Sequence, residues 1–487
     1  IIYIILYFIY LVSIYNKTII IILSMNVFYY NIILILVSTM VCSAVNNKLP
    51  DAAQSKEKLS TESENQRILS STRAIDVERY TTYFGSVSND QGFGVCTDGS
   101  GNNYIIGNAA GEIKIWKIDA FGAELSSATS TSPVGSEVPL DCTVDGTGDV
   151  LIVGGTQAAT LNGVSNPNSP TQASAFLLRY DSSLTLKDTL LKFGTVNPRG
   201  VVFRGVAVDS ANNVYMAGTT SSDIDGETVV DDSIRSCLIS KYDSSVPPVL
   251  QWTKVLSTTA DTLCNEIAVD SVNGVVYVAG TTKGNIYNPP SGTEEIIVGE
   301  YSASTGAFIS GVQGLGVSTD DTGSGVVLDS SGTVYVSGQI NGNEAYVAKL
   351  NSALGIEWLT SFGTGSSLDD SDNLVINSDG YVYVTGTTAQ SEFQGYTIPD
   401  ANGGNIFLAR LFPNGTVDYA VGYSSGASND RGRMAALDGD ENVIVAASVG
   451  GSVSPDTGLG GTDIFVFSYG EPYPTTAPTA APSTATP

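Results

Sequence analysis

The sequence predicts an all-β fold, a β-propeller of seven four-stranded blades whose ring is closed by an amino-terminal strand. Three observations predict it. The chain of 487 residues has 52 glycines and only 15% charged residues, a balance that suits short strands joined by tight turns. An apolar run, a turn of the form Asp-x-x-Gly/Asn and the segment Val-Tyr-Val-x-Gly recur together along the chain. The turn residue falls at Asp98, Asp145, Asp209, Asp270, Asp329, Asn377 and Asp438, with gaps of 47, 64, 61, 59, 48 and 61 residues.

Each copy divides into four strands. Strand a is the apolar run before the turn, as in Gly205-Val-Ala-Val-Asp209 or Val326-Val-Leu-Asp329. The turn places Gly or Asn where positive φ is needed. Strand b is Val214-Tyr-Met-Ala-Gly218, Val276-Tyr-Val-Ala-Gly280 or Val334-Tyr-Val-Ser-Gly338. Strand c is an alternating run such as Ala345-Tyr-Val-Ala-Lys-Leu350 or Ile406-Phe-Leu-Ala-Arg-Leu411. A second turn leads to strand d, which carries an aromatic residue, as in Trp252 and Trp358. A ring of such sheets covers both faces of each blade and leaves few edges.

The seventh copy ends at strand c, about residues 463–469, and has no strand d of its own. Residues 78–85 read as an orphan strand d: Tyr80 and Phe84-Gly85 fall where Trp358 and Phe362-Gly363 fall. Asp90 follows them as Asp370 follows the other pair. The amino-terminal strand is therefore expected to complete blade 7.

Outside the ring at 78–470, residues 1–24 read as non-native upstream sequence before Met25, and 25–44 as a signal peptide with an apolar run and a small-residue cleavage site. Residues 45–77 read as a polar linker, and 471–487 as a Thr/Pro-rich stalk. The expected location is secreted or at the cell surface, with membrane contact only if residues 1–41 act as an anchor. Cys96, Cys142, Cys237 and Cys264 remain after the leader. An exported chain permits disulfides in any of three pairings, and free buried thiols are the other reading. Asn414-Gly415-Thr416 is a glycosylation sequon on a turn.

Composition also excludes functions. The chain has no histidine, which removes Ser-His-Asp and Cys-His nucleophilic sites and His-ligated metals. Its net charge of −27 disfavours nucleic acid and suits cations, basic partners or neutral glycans. What remains is carboxylate chemistry, oxygen-ligated cations, or binding alone.

The motif Ala-Val-Asp-x-x-Gly-Asn-Val-Tyr-Val-Thr-Gly followed by Phe-Val-Ala-Lys-Leu resembles the seven-bladed β-propeller repeat family labelled SBBP. The resemblance covers residues 79–470 and is closest in blades 3 to 6. It implies an exported or cell-surface protein with a scaffold or binding role, and it implies no catalytic set.

Candidate site residues follow from the blade order. The b–c and d–a connections emerge on one face, where the long b–c segments 157–174, 221–236, 283–295, 389–405 and 449–462 also lie. The d–a loops carry Asp90, Asp261, Asp321, Asp370 and Asp430, which are either rim ligands or caps of their own loops. Ile224, Tyr287, Phe393 and Tyr396 are candidate loop anchors for an unknown protein or glycan. Asp223, Asp225 and Glu227 resemble part of a calcium loop without the full Asp-x-Asp-x-Asp-Gly spacing; no other cofactor is expected. No arginine cluster for holding an acidic sugar is evident along the chain. The expected function is a monomeric binding or scaffold module rather than an enzyme. The alternatives are a carbohydrate-active enzyme using rim carboxylates and a purely structural wall component.

Overall fold

A computed structural model describes residues 76–470, except residue 99 and the loop segments 133–136, 169–171, 195–199, 289–292, 316–319, 364–368, 399–402, 428–429 and 454–455. It also describes the backbone of Ile9–Ile14 and Lys17–Ile22, which pair antiparallel within a unit of their own. The signal-peptide reading, nearly all of the linker and the Thr/Pro tail lie outside the described residues. No helix among the described residues is long and apolar enough to cross a membrane.

Seven four-stranded antiparallel sheets make the ring. Blade 3 is representative: strand a spans Val201–Val208, b Val214–Thr220, c Ser236–Tyr242 and d Leu250–Leu256. Strand a of each blade packs against strand a of the next, and the cycle returns from blade 7 to blade 1. Strands b and c lie between neighbouring sheets, so they are apolar along their whole length rather than alternating. Val150–Thr156, Val214–Thr220 and Val443–Val449 are buried throughout. The core is a set of inter-blade layers, such as Tyr104, Ile106 and Ile115 of blade 1 against Ile152, Phe176 and Leu178 of blade 2.

The a–b turns form as the motif predicts. Asp209 Oδ1 accepts the amides of Ala211 and Asn213, both at 2.9 Å, and Asp329 Oδ1 accepts those of Ser331 and Thr333 at the same distance. The other carboxylate oxygen takes the strand b tyrosine: Tyr215 donates to Asp209 at 2.9 Å, Tyr104 to Asp98 at 3.2 Å and Tyr335 to Asp329 at 3.4 Å.

Blade 6 has Asn377 at the turn, and there the missing carboxylate comes from elsewhere. Tyr383 donates to Asp76, at 2.9 Å. Arg410 pairs with the same oxygen at 2.5 Å, and Tyr419 donates to it at 3.2 Å. Asp76 immediately precedes the closing strand Val77–Phe84, which pairs with Asp463–Gly470 and completes blade 7. Asp76 and Val77 therefore belong to the ring and not to the linker, because the buried Arg410 guanidinium needs that carboxylate.

The closing strand bridges two blades. Tyr83 packs on Phe465 of blade 7 with ring centroids 5.2 Å apart, and Phe84 packs on Trp116 of blade 1 at 5.7 Å. Two disulfides join neighbouring blades elsewhere. Cys96–Cys142 links strands a of blades 1 and 2, and Cys237–Cys264 links strand c of blade 3 to strand a of blade 4.

Candidate functional site

The site is the mouth of the central channel, and a repeated backbone irregularity builds it. Strand a carries a one-residue bulge in every blade, at Phe93, Leu140, Arg204, Asn265, Ser324, Asp372 and Arg433. A bulged residue leaves the ladder and its side chain is re-aimed. All seven line a single cavity of about 200 Å³. The repeat glycine of strand b makes this possible. A Cβ on Gly154, Gly218, Gly280, Gly338 or Gly386 would collide with a strand a carbonyl oxygen beside the bulge. Below the mouth the channel widens into a cavity of about 450 Å³ lined by the rest of the seven strands a.

The lining is charged. Arg204 and Arg433 project from blades 3 and 7, which stand on opposite sides of the ring. The Nε atoms of both are buried without a hydrogen-bond partner, and neither side chain forms an ion pair within the described residues. Arg433 lies over Phe93, 5.5 Å from the ring centroid. Burial works against both charges, with Arg235 adding to the effect on Arg204, while Asp372 and Asp370 favour the Arg433 charge. Burial pushes the Asp372 carboxyl up to about 8; Asp370 adds to this, and Arg433 and Arg431 oppose it. Glu266 is raised well above the carboxylate range by burial and then by the charge of Asp141. Asp141 is itself raised by burial, although its oxygens accept the amides of Val206 at 2.6 Å and Cys142 at 2.7 Å. One acceptor of the lining, Asn265 Oδ1, is buried without a partner.

Residues 196–225 and 251–288 match SBBP, the beta-propeller repeat. The chain carries SBBP repeats. No curated protein matches it. Similar solved structures include a streptogramin B lyase, with 8% identity, a TM-score of 0.46, and coverage of 80% of this chain and 97% of that one. The Dos1 propeller has 10% identity and a TM-score of 0.43 over 81% and 95% of the two chains. The PQQ-bound aldose sugar dehydrogenase from Streptomyces coelicolor has 12% identity and a TM-score of 0.36 over 82% and 99%.

The ring places the sequence candidates as follows. Asp90, Asp321 and Asp430 are buried and cap the loops of their face. Asp90 accepts the amide of Ala110 at 3.0 Å, Asp321 that of Asn341 at 2.9 Å, and Asp430 those of Ser425 at 2.6 Å and Gly450 at 2.8 Å. Asp261 accepts the Arg235 amide at 2.8 Å and pairs with its guanidinium at 3.0 Å. In blade 6 the residue that plays the part of Asp90 is Asp369, which accepts from Thr388 at 2.5 Å and from Gln390. Asp370 is one place further along strand a, beside the channel. The stretch from Gly363 to Asp369 is one residue longer than that from Gly85 to Asp90, so equal counting falls one short of Asp369, and two adjacent acids at 369 and 370 then compete for the place.

The loop candidates meet a similar fate. In three blades the b–c loop turns back as a miniature hairpin: Thr160-Leu-Asn-Gly-Val164, Asp223-Ile-Asp-Gly-Glu227 and Glu392-Phe-Gln-Gly-Tyr396. The central pairs Asn162-Gly163, Asp225-Gly226 and Gln394-Gly395 all have positive φ, the requirement of a tight hairpin turn. Leu161, Ile224 and Phe393 are buried plugs over the inter-blade core. Tyr287 stacks on Phe308 at 5.3 Å and shares a hydrogen bond with Tyr301 at 2.6 Å. Tyr396 remains 36% exposed. The acids of the calcium-like segment are engaged locally: Asp225 by Lys192 and Thr253, Glu227 by Lys254 at 2.7 Å, and Asp223 by the amide of Val229 at 2.9 Å. No group of three or more metal-ligating side chains occurs among the described residues. Asn414 is exposed on the c–d turn, on the face opposite the mouth.

Arg204 and Arg433 lie 229 positions apart in sequence, so no local run reveals them as a pair. The signal that could have found them is positional, since both stand at the bulge, Arg204 three residues and Arg433 two residues after the start of its strand a.

Proposed function

We propose that this SBBP propeller is an extracellular or cell-surface binding module that takes a glycan or protein on its b–c/d–a face. The observation that carries this reading is coincidence of place. Five long loops and the charged channel mouth open on the same face of a rigid ring, which is where binding groups are best held. Inter-blade disulfides fit an oxidising compartment. A glycan at Asn414 would leave the mouth clear. Binding, and not catalysis, is the activity that the loops and ring provide for.

A steric block tests the face. Gln394→Asn with Tyr396→Thr creates an acceptor sequon at an exposed loop tip, and Asn suits the left-handed φ of 50° there. Expressed with glycosylation, this variant should capture no ligand from glycan and protein arrays that the unmodified full chain captures, with an unchanged melting temperature. Undiminished capture would move the partner to another surface.

A carboxylate enzyme is the second reading, favoured by Asp372 and Glu266 lining one cavity with both carboxyls raised. Glycoside hydrolysis needs one acid held protonated beside another. Turnover of aryl glycosides that Asp372→Asn abolishes would favour this reading. No turnover across a glycoside panel would leave binding as the function.

A further inference from the structure

We propose that the channel mouth is a binding site for a carboxylate-bearing sugar, its carboxylate held between Arg204 and Arg433. This deepens, and rests on, the reading of that face as the one that takes ligand.

The fold does not require arginine at these two places. Other blades put Phe93, Leu140, Asn265 and Ser324 at the same bulge with the ladder intact around them. A half-buried guanidinium whose Nε is out of water without a hydrogen-bond partner costs stability, and at two of seven equivalent positions the chain bears that cost. Residues that break a local rule without helping the fold are expected where function lies. Charge decides the class of ligand. The whole molecule is strongly acidic, yet the mouth presents two cations, beside two carboxyls, Asp372 and Glu266, that burial pushes toward the neutral form. The planar guanidinium forks match a carboxylate, which each can grip with paired N–H donors.

The remaining polar atoms suit hydroxyls. Asn265 lines the cavity, and its Oδ1 is a buried acceptor without a partner that can take an O–H donor. Only Phe93, Leu140 and Met434 among the lining residues are apolar, which leaves little for a peptide side chain. A cavity of about 200 Å³ is smaller than the ~300–1,000 Å³ of drug-sized sites, so it takes one residue of a ligand and not its length.

Calorimetry of the full chain with glucuronate, glucose, acetate and a short peptide with a free carboxyl end tests this. Saturable 1:1 binding of glucuronate is expected, with glucose, acetate and peptide each at least tenfold weaker. Arg204→Gln and Arg433→Gln should each weaken glucuronate at least tenfold, while the melting temperature stays level because neither side chain forms an ion pair within the described residues. A fall of several degrees in either variant would assign that arginine to the fold and overturn its role in binding. Equal affinity for glucose, or wild-type affinity in both variants, would overturn the site. A peptide that binds as tightly as glucuronate would overturn the sugar. If glucuronate fails while the loop glycan still blocks capture, the face stands and the mouth assignment falls.

Discussion

Deleting residues 45–85 should unfold the ring, whereas deleting 45–75 should leave its melting temperature within a degree or two. The shorter deletion keeps Asp76 and the closing strand; the longer one removes both. Phe84, Tyr83 and Tyr80 lose packing worth ~1.5–3 kcal/mol each. Stripping Asp76 from Arg410 leaves a buried cation unpaired, at a cost of about 3–5 kcal/mol. The sum is on the order of 10 kcal/mol, comparable to the whole stability of many folded proteins. Strand Asp463–Gly470 would also become a bare edge, and aggregation is expected with unfolding. Asp76→Ala separates the two contributions, since it breaks the ion pair and keeps the strand, and it should melt between the two truncations. Equal melting of the two deletions, followed by circular dichroism, would show that the ring does not depend on this closure.

Reduction should give the second large effect. The disulfides close loops of 46 and 27 residues, for which chain entropy gives roughly 3–4 kcal/mol each. For a ring of this size that corresponds to a fall in melting temperature on the order of 10 °C when both are reduced. The reduced ring should still fold at room temperature, because the inter-blade apolar layers do not need the sulfurs. Mass spectrometry of the non-reduced digest should find Cys96 joined to Cys142 and Cys237 to Cys264. Free thiols at all four positions, or crossed pairs, would refute the arrangement.

These effects mark how far the sequence could be read. Blade number, the five long loops and the orphan strand d were legible because each depends on a local pattern, a turn residue or an alternation, that recurs. Residue-level roles were less so. Asp223-Ile-Asp-Gly-Glu227 looks like part of a cation loop when taken alone. Beside Thr160-Leu-Asn-Gly-Val164 and Glu392-Phe-Gln-Gly-Tyr396 it is one of three hairpins with a buried apolar plug. Asp370 was placed one residue off because two acids stand side by side at 369 and 370, and d–a loops of different length do not show which one matches Asp90. The link from Asp76 to Arg410 spans 334 positions, and Arg204 and Arg433 line one cavity from blades 3 and 7. Neither leaves a trace in any short window. Cysteine spacing could not choose among three pairings, since the choice depends on which blades are neighbours.

The bulge in strand a has a consequence for how such a chain can diversify. It separates two duties along one strand: the paired residues hold the sheet, and the displaced one answers only to the channel. A blade copied by tandem duplication arrives with its ladder, turn and strand b glycine in working order, and with one position whose identity the sheet does not read. Mutations there can change the charge, size or polarity of the mouth without a new folding problem to solve. The ligand preference of the ring can therefore drift blade by blade while the architecture is inherited whole.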